Sequence, residues 1–150
     1  MNLITKLTCW VFSKFGPEER AEGRDRQVFI FKNKVIKVPQ MTDWLSFIRG
    51  YYSNLKELDS IQDYTGNFKE HLPVILGSYC FGLIVVYVRY KEVGLVNSED
   101  ETIRYKDRLM LIRNEEHPGH SYIWFNDPKI FNYGWDKFGR LVIIDIGTPY

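Results

Sequence analysis

Several things are scarce in this chain, and each scarcity removes a class of protein. Cys9 and Cys80 are its only two cysteines, too few for a disulfide framework or a four-thiolate metal centre. A reducing, cytoplasmic setting is the corresponding expectation. Twenty basic residues against 19 acidic ones leave a formal net charge of +1. Nothing in that balance recruits nucleic acid or an anionic membrane, so any electrostatic function has to come from local clustering. The basic residues between Arg89 and Ile112 do not supply it, because Glu92, Glu99, Asp100, Glu101 and Asp107 offset them. No apolar run approaches the roughly 18 to 20 residues of a membrane span. The apolar start is interrupted by Lys6 and Lys14 and reaches Gly16-Pro17-Glu18-Glu19 with no small-residue cleavage site, which argues against a signal peptide. Three histidines are present; His117-Pro118-Gly119-His120 lacks a third metal ligand nearby and reads as a surface turn. No Ser-His-Asp order with a nucleophile elbow appears, so hydrolase chemistry has no support.

What is present is the composition of a globular domain: 150 residues, 45% hydrophobic and 26% charged, enough to bury a core of their own. Most of the 16% aromatic residues are expected in that core, although Trp10, Trp44, Trp124 and Trp135 could serve a binding face. Leu3, Ile4, Leu7, Trp10, Val11 and Phe15 fall at helical spacing and predict an amphipathic helix over 3–15. The charged stretch 16–26 reads as a solvated loop. Residues 27–31 and 35–38 predict a β-hairpin around Lys32-Asn33-Lys34, with Lys37 inside the second strand. Thr42 can cap a helix running from Trp44 to Leu58 or Ile61, ended by Tyr64-Thr65-Gly66-Asn67. Residues 72–77 and 83–88 predict a second antiparallel pair, and 91–101 a connector. A helix is expected over 101–113, an extended run over 121–125, and a final pair over 130–133 and 141–144 about the turn Asp136-Lys137-Phe138-Gly139.

The residues that point to chemistry lie in the last of these elements. Asp127 and Asn132 are spaced so that one short loop can present a carboxylate to a hydroxyl nucleophile and an amide oxygen to a divalent cation. Lys129 stands between them, and Asp145 follows with Ile146-Gly147 behind it. This order of Asp-x-Lys-x-x-Asn and Asp-hydrophobic-Gly, preceded by Lys37 in Val35-Ile36-Lys37-Val38, resembles the protein-kinase-like fold. The resemblance implies an α+β architecture in one domain over 1–150: an N-terminal helix over 1–16, an antiparallel-sheet small lobe over 27–90, and a reduced large lobe over 91–150 that stops after Asp-Ile-Gly. It implies a phosphotransferase using ATP and Mg2+, with Asp127 as catalytic base and Lys129 as charge neutraliser. In the same terms Asn132 and Asp145 are metal ligands, Lys37 anchors the α- and β-phosphates, and backbone groups around Val88 and Tyr90 meet the adenine. The acceptor would be a protein hydroxyl or a small molecule.

Three departures accompany the resemblance. Phe125-Asn126 replaces the His-Arg that precedes the catalytic Asp, no Gly-x-Gly-x-x-Gly is present, and Glu18, Glu19 and Glu22 carry negative charge where phosphates would be cradled. The helix partner of Lys37 falls to Asp43 or Glu57. The alternative expectation is therefore a pseudokinase-like interaction or inhibitor protein. A protein partner or a homo-oligomer would complete the reduced lobe, and no nucleic acid or membrane is involved.

Overall fold

A computed structural model describes residues 16–94 and 98–146, so the helix expected over 3–15 lies outside the described residues. The chain divides into two compact units. One takes in the described residues up to Leu55 together with Val74–Arg89; the other takes in Lys56–Pro73 and the described residues from Tyr90 onward. The fold is α+β, with antiparallel sheets and three helices among the described residues.

The first unit is built on a five-stranded antiparallel sheet. Strands β1 (Glu19–Glu22), β2 (Arg26–Ile30), β3 (Lys34–Pro39), β4 (Ile75–Tyr79) and β5 (Ile84–Val88) lie in the order β1-β2-β3-β5-β4. Central β3 is covered on both faces. Ile36 and Val38 point with Phe29 into one apolar cluster, while Lys37, in register with Val28 and Val85, points to the other side. The loop expected over 16–26 is corrected, because β1 occupies its middle and pairs with β2 along Glu19↔Ile30 to Glu22↔Gln27. All four of its side chains are exposed, so it carries no alternation, yet an edge strand can be held by its backbone while charged side chains protect its outer face. The opposite edge, β4, contains no charged residue and begins at Ile75, three residues later than expected, because Lys69–His71 forms a 3-10 turn ahead of buried Leu72 and Pro73.

Helix α1 (Trp44–Gln62) starts in the first unit and ends in the second. Asp43, not Thr42, caps it: Oδ1 accepts from the Ser46 N–H at 2.9 Å and Oδ2 from the Ser46 hydroxyl at 2.7 Å. The Ser46 backbone bond leads the effects that hold the Asp43 carboxyl below its ordinary range. Gly50 fits where no side chain can, since a Cβ there would stand 2.0 Å from the Asp25 carbonyl oxygen and 2.9 Å from Pro39 Cα. Farther along, the Tyr51 hydroxyl donates to the Phe81 carbonyl at 2.9 Å, and Asn54 Nδ2 donates to those of Gly82 and Leu83 at 3.1 and 3.2 Å. These bonds grip the β4–β5 turn, in which Cys80, Phe81 and Gly82 have φ of 51°, 58° and 90°.

The second unit contains a three-stranded antiparallel sheet of β6 (Lys91–Glu92), β7 (Tyr133–Trp135) and β8 (Leu141–Ile143). The connector expected over 91–101 thus holds a short strand. Helix α2 (Glu99–Glu115) is capped by Ser98, whose hydroxyl accepts from the Glu101 N–H at 3.2 Å. Ser98-x-x-Glu101 has capping-box spacing, but Glu101 Oε1 accepts from Trp135 Nε1 at 3.0 Å, so the glutamate ties the helix start to β7. Residues 121–125, expected extended, form the short helix α3 (Ser121–Phe125). Adjacent Ile123 and Trp124 are both fully buried there, which a two-residue alternation cannot achieve but a helix turned into the core can. The last hairpin forms about the expected Asp136–Gly139 turn, with Tyr133 opposite Ile143 and Trp135 opposite Leu141, while Ile130–Asn132 is a 3-10 turn that precedes the strand. Tyr64, Phe68, Ile112, Trp124, Tyr133, Leu141 and Ile146 belong to one core cluster. Among the described residues no helix is long and apolar enough to cross a membrane.

Candidate functional site

The loop between α3 and β7 brings three of the expected site residues together. Pro128 follows Asp127, and the chain turns so tightly that the Asp127 carbonyl accepts the Lys129 N–H at 2.8 Å. The same carbonyl accepts Asn132 Nδ2 at 2.9 Å. Lys129 Nζ lies 3.1 Å from Asp127 Oδ2 in a partly exposed pair. Asn132 is only 4% exposed, and its own carbonyl accepts the N–H groups of Ile144 at 2.8 Å and Asp145 at 3.3 Å. Asn132 therefore holds the backbone of Asp127 through its side chain and the backbone of Asp145 through its main chain. Its Oδ1 has no partner among the described residues.

Aromatic side chains support this loop from below. The Tyr105 hydroxyl, on α2, donates to the Pro128 carbonyl at 3.1 Å, and Tyr133 donates to the Trp124 carbonyl. The two rings meet edge to face at 5.3 Å. Burial pushes the Tyr105 phenol up to about 12. Burial also raises Tyr133 strongly, with the nearby Tyr105 and Asp127 adding to it, so both hydroxyls remain donors over the working pH range. Beneath them, Trp124 Nε1 donates to Glu116 Oε2 at 3.0 Å, and the same carboxylate accepts the Tyr64 hydroxyl and the His117 N–H, the latter at 2.7 Å. Burial alone would raise Glu116, but these bonds outweigh it and hold the carboxyl below its ordinary value. Neither Tyr105 nor Glu116 stands out in the sequence. Only the fold brings Tyr105 to this loop and Glu116 to Trp124 beside it.

Lys37 and Val88 belong to the first unit. Lys37 is buried, with Nζ 5.1 Å from the centre of the Tyr87 ring. Val88 donates its N–H to the Val74 carbonyl at 3.0 Å, so that donor is already engaged within the sheet. Tyr90 lies in the second unit, where its Cβ sits so close to Gly134 that a Cβ there would approach within 2.8 Å. Glu57, weighed from the sequence as a helix partner for Lys37, is fully buried on α1. His117 accepts the Gly119 N–H at 3.1 Å and ends the chain's path into a small 3-10 turn, as its surface-turn reading implies. Among the described residues no group of three or more His, Cys, Asp or Glu side chains could hold a metal ion.

No family model matches the chain, and no curated protein matches it. Among solved structures, that of WbdD matches with 16% sequence identity and a TM-score of 0.49, over 88% of this chain and 33% of that one. The chain thus spans about a third of the protein it is compared with. A match at that level carries neither a fold assignment nor a function. The resemblance to the protein-kinase-like family, read from Lys37, Asp127, Lys129, Asn132 and Asp145, is corrected accordingly. Local structure explains part of that pattern, since Asp, Pro and Asn at these spacings are also what the hydrogen-bonded turn at 127–132 requires. What stands is an α+β chain in which Asp127, Lys129 and Asn132 share one loop and the Asp145 N–H bonds to the Asn132 carbonyl.

Proposed function

We propose that residues 127–145 form a magnesium-dependent site that transfers a phosphoryl group from ATP to a hydroxyl acceptor. The observation that supports it is the position of Asn132, a buried amide bonded to the Asp127 carbonyl and, through its own carbonyl, to the Asp145 N–H. The donor set is all oxygen, which suits a hard cation. Magnesium is commonly held by one or two carboxylates with phosphates and waters completing its shell, so a cluster of three acidic side chains is not needed. Asn132 Oδ1 and the Asp145 carboxylate would hold the ion, which when bound would offset charge on the phosphates. Asp127 would take the proton of the acceptor hydroxyl, and Lys129 would balance charge on the transferred group. Tyr90, in the same unit as this loop, enters this reading as a nucleotide contact on the strength of the sequence.

A second reading is a protein-binding module without catalysis. It is favoured by β1 and the residue before it, where Glu18, Glu19 and Glu22 are exposed on a segment with no glycine-rich phosphate cradle. Titration with ATP and Mg2+, followed by thermal denaturation, separates the two. The phosphotransferase reading expects a rise in Tm with the wild type that is lost in Asp145→Asn and retained in Asp127→Ala, and phosphoryl transfer that is lost in Asp127→Ala. No shift at millimolar Mg-ATP, about 1 to 5 mM, would leave the binding module.

A further inference from the structure

We infer that residues 3–15 dock as a helix on one face of the first unit's sheet, the face formed by Phe29, Ile36 and Val38. These three pack into one cluster, with Phe31, Ile84 and Val86 against them. They share a face by register, since Phe29 stands opposite Ile36 and Ile36 opposite Val86. Every one of these side chains comes from β2, β3 or β5, or from the residue after β2, and no helix among the described residues contributes to the cluster. Yet Phe29 is 6% exposed, Ile36 9% and Val38 3%. Neighbouring side chains on a sheet screen one another's flanks but not their outer ends, so burial this deep requires a second layer over the face.

Three observations name residues 3–15 as that layer. The first is pattern. Leu3, Ile4, Leu7, Trp10 and Val11 fall within an arc of about 120° on a helix, the width of stripe that faces a core. That stripe is about 12 Å long, and a helix about 10 Å wide matches the roughly 10 Å between β2 and β5, which lie two strand spacings apart. The second is the junction. Gly16 has φ 40°, the left-handed conformation that commonly ends a helix, and Pro17 follows, which cannot continue one. A helix over 3–15 would therefore stop at Phe15 and turn directly toward β1. The third is where the chain then arrives. Four residues past Gly16, Arg20 stands opposite Phe29, with its guanidinium carbon 5.6 Å from the ring centre. At most about 14 Å of chain separates the end of the segment from the cluster. The other stretches outside the described residues, 95–97 and 147–150, are three and four residues long. Neither exceeds about one helical turn.

Hydrogen exchange and denaturation of the full-length chain test this. A free helix of this length is marginal in water, so amides 7–15 should exchange at least about tenfold more slowly than in an unstructured chain only if the helix is docked. Leu7→Arg sets a charge at the centre of the stripe and should lower Tm by about 5 °C or more. Thr5→Arg, about 200° round the same helix, should leave it within about 1 °C. Phe29→Leu locates the contact: in a Leu7→Ala background its loss of urea midpoint should shrink by at least about a third, because contributions of residues in contact are not additive. The exchange rates and this cycle decide the matter if Leu7→Arg does not fold. Free exchange over 7–15, or a Leu7→Arg protein with the wild-type Tm, overturns the inference and leaves the stripe to a membrane or another protein. So do fully additive losses, which would place the helix away from Phe29.

Discussion

At the scale of single residues, the loop that carries Asp127 depends on a few side-chain hydrogen bonds to its backbone. Asn132→Ala removes the donor to the Asp127 carbonyl and should cost about 1–3 kcal/mol of stability, measured by urea denaturation. Glu116 is more consequential because four buried or partly buried donors converge on it, from Tyr64, Asn67, His117 and Trp124. Its folded carboxyl titrates below the ordinary value of 4.5, so its contribution is present in full above that value and is lost as pH falls through the lower, folded one. Tm measured from neutral pH down to about pH 3 should therefore fall on the acid side, and Glu116→Gln should flatten that part of the curve. Glu116→Ala should cost about 2–4 kcal/mol at neutral pH by leaving the Tyr64 hydroxyl and Trp124 N–H without an acceptor.

At the scale of elements, those with a clear period were legible and those held by context were not. The α1 stripe and the β2–β3 hairpin follow from spacing and turn residues, and both stand within a few residues of expectation. β1 escaped because four exposed side chains, Glu-Arg-Ala-Glu, carry no pattern and only the neighbouring strand makes them a strand. Ser121–Phe125 read as extended because its Tyr, Ile, Trp and Phe favour strands; five residues are too few to show a helical period, and the burial of Trp124 decided otherwise. The site divides in the same way. Asp127, Lys129 and Asn132 are local in sequence, so their proximity could be read from spacing. Tyr105 reaches the loop only through tertiary packing, and Glu116 lies one step away from it, at the Trp124 indole. An element-scale prediction follows from the cap of α2: Ser98→Ala should lower stability by about 1 kcal/mol, seen as a reduced urea midpoint with an unchanged m-value.

At the scale of the whole molecule, α1 runs through both units without a break. A shared helix should couple their unfolding, so far-UV circular dichroism and tryptophan fluorescence, the latter weighted toward buried Trp124 and Trp135 of the second unit, should give coincident urea transitions. Leu55→Pro, placed where the helix passes from one unit to the other, removes a backbone bond and should separate the two transitions. The interleaving of the units also has a consequence for synthesis on the ribosome. Strand β3 finds its partner β5 only after α1 and all of Lys56–Pro73 have been made. At about 5–20 residues per second, the nascent chain carries an apolar, half-paired β3 for several seconds before Val85 and Val86 arrive to close the sheet. During this interval, while folding waits on translation, one edge of β3 stands open to mispairing.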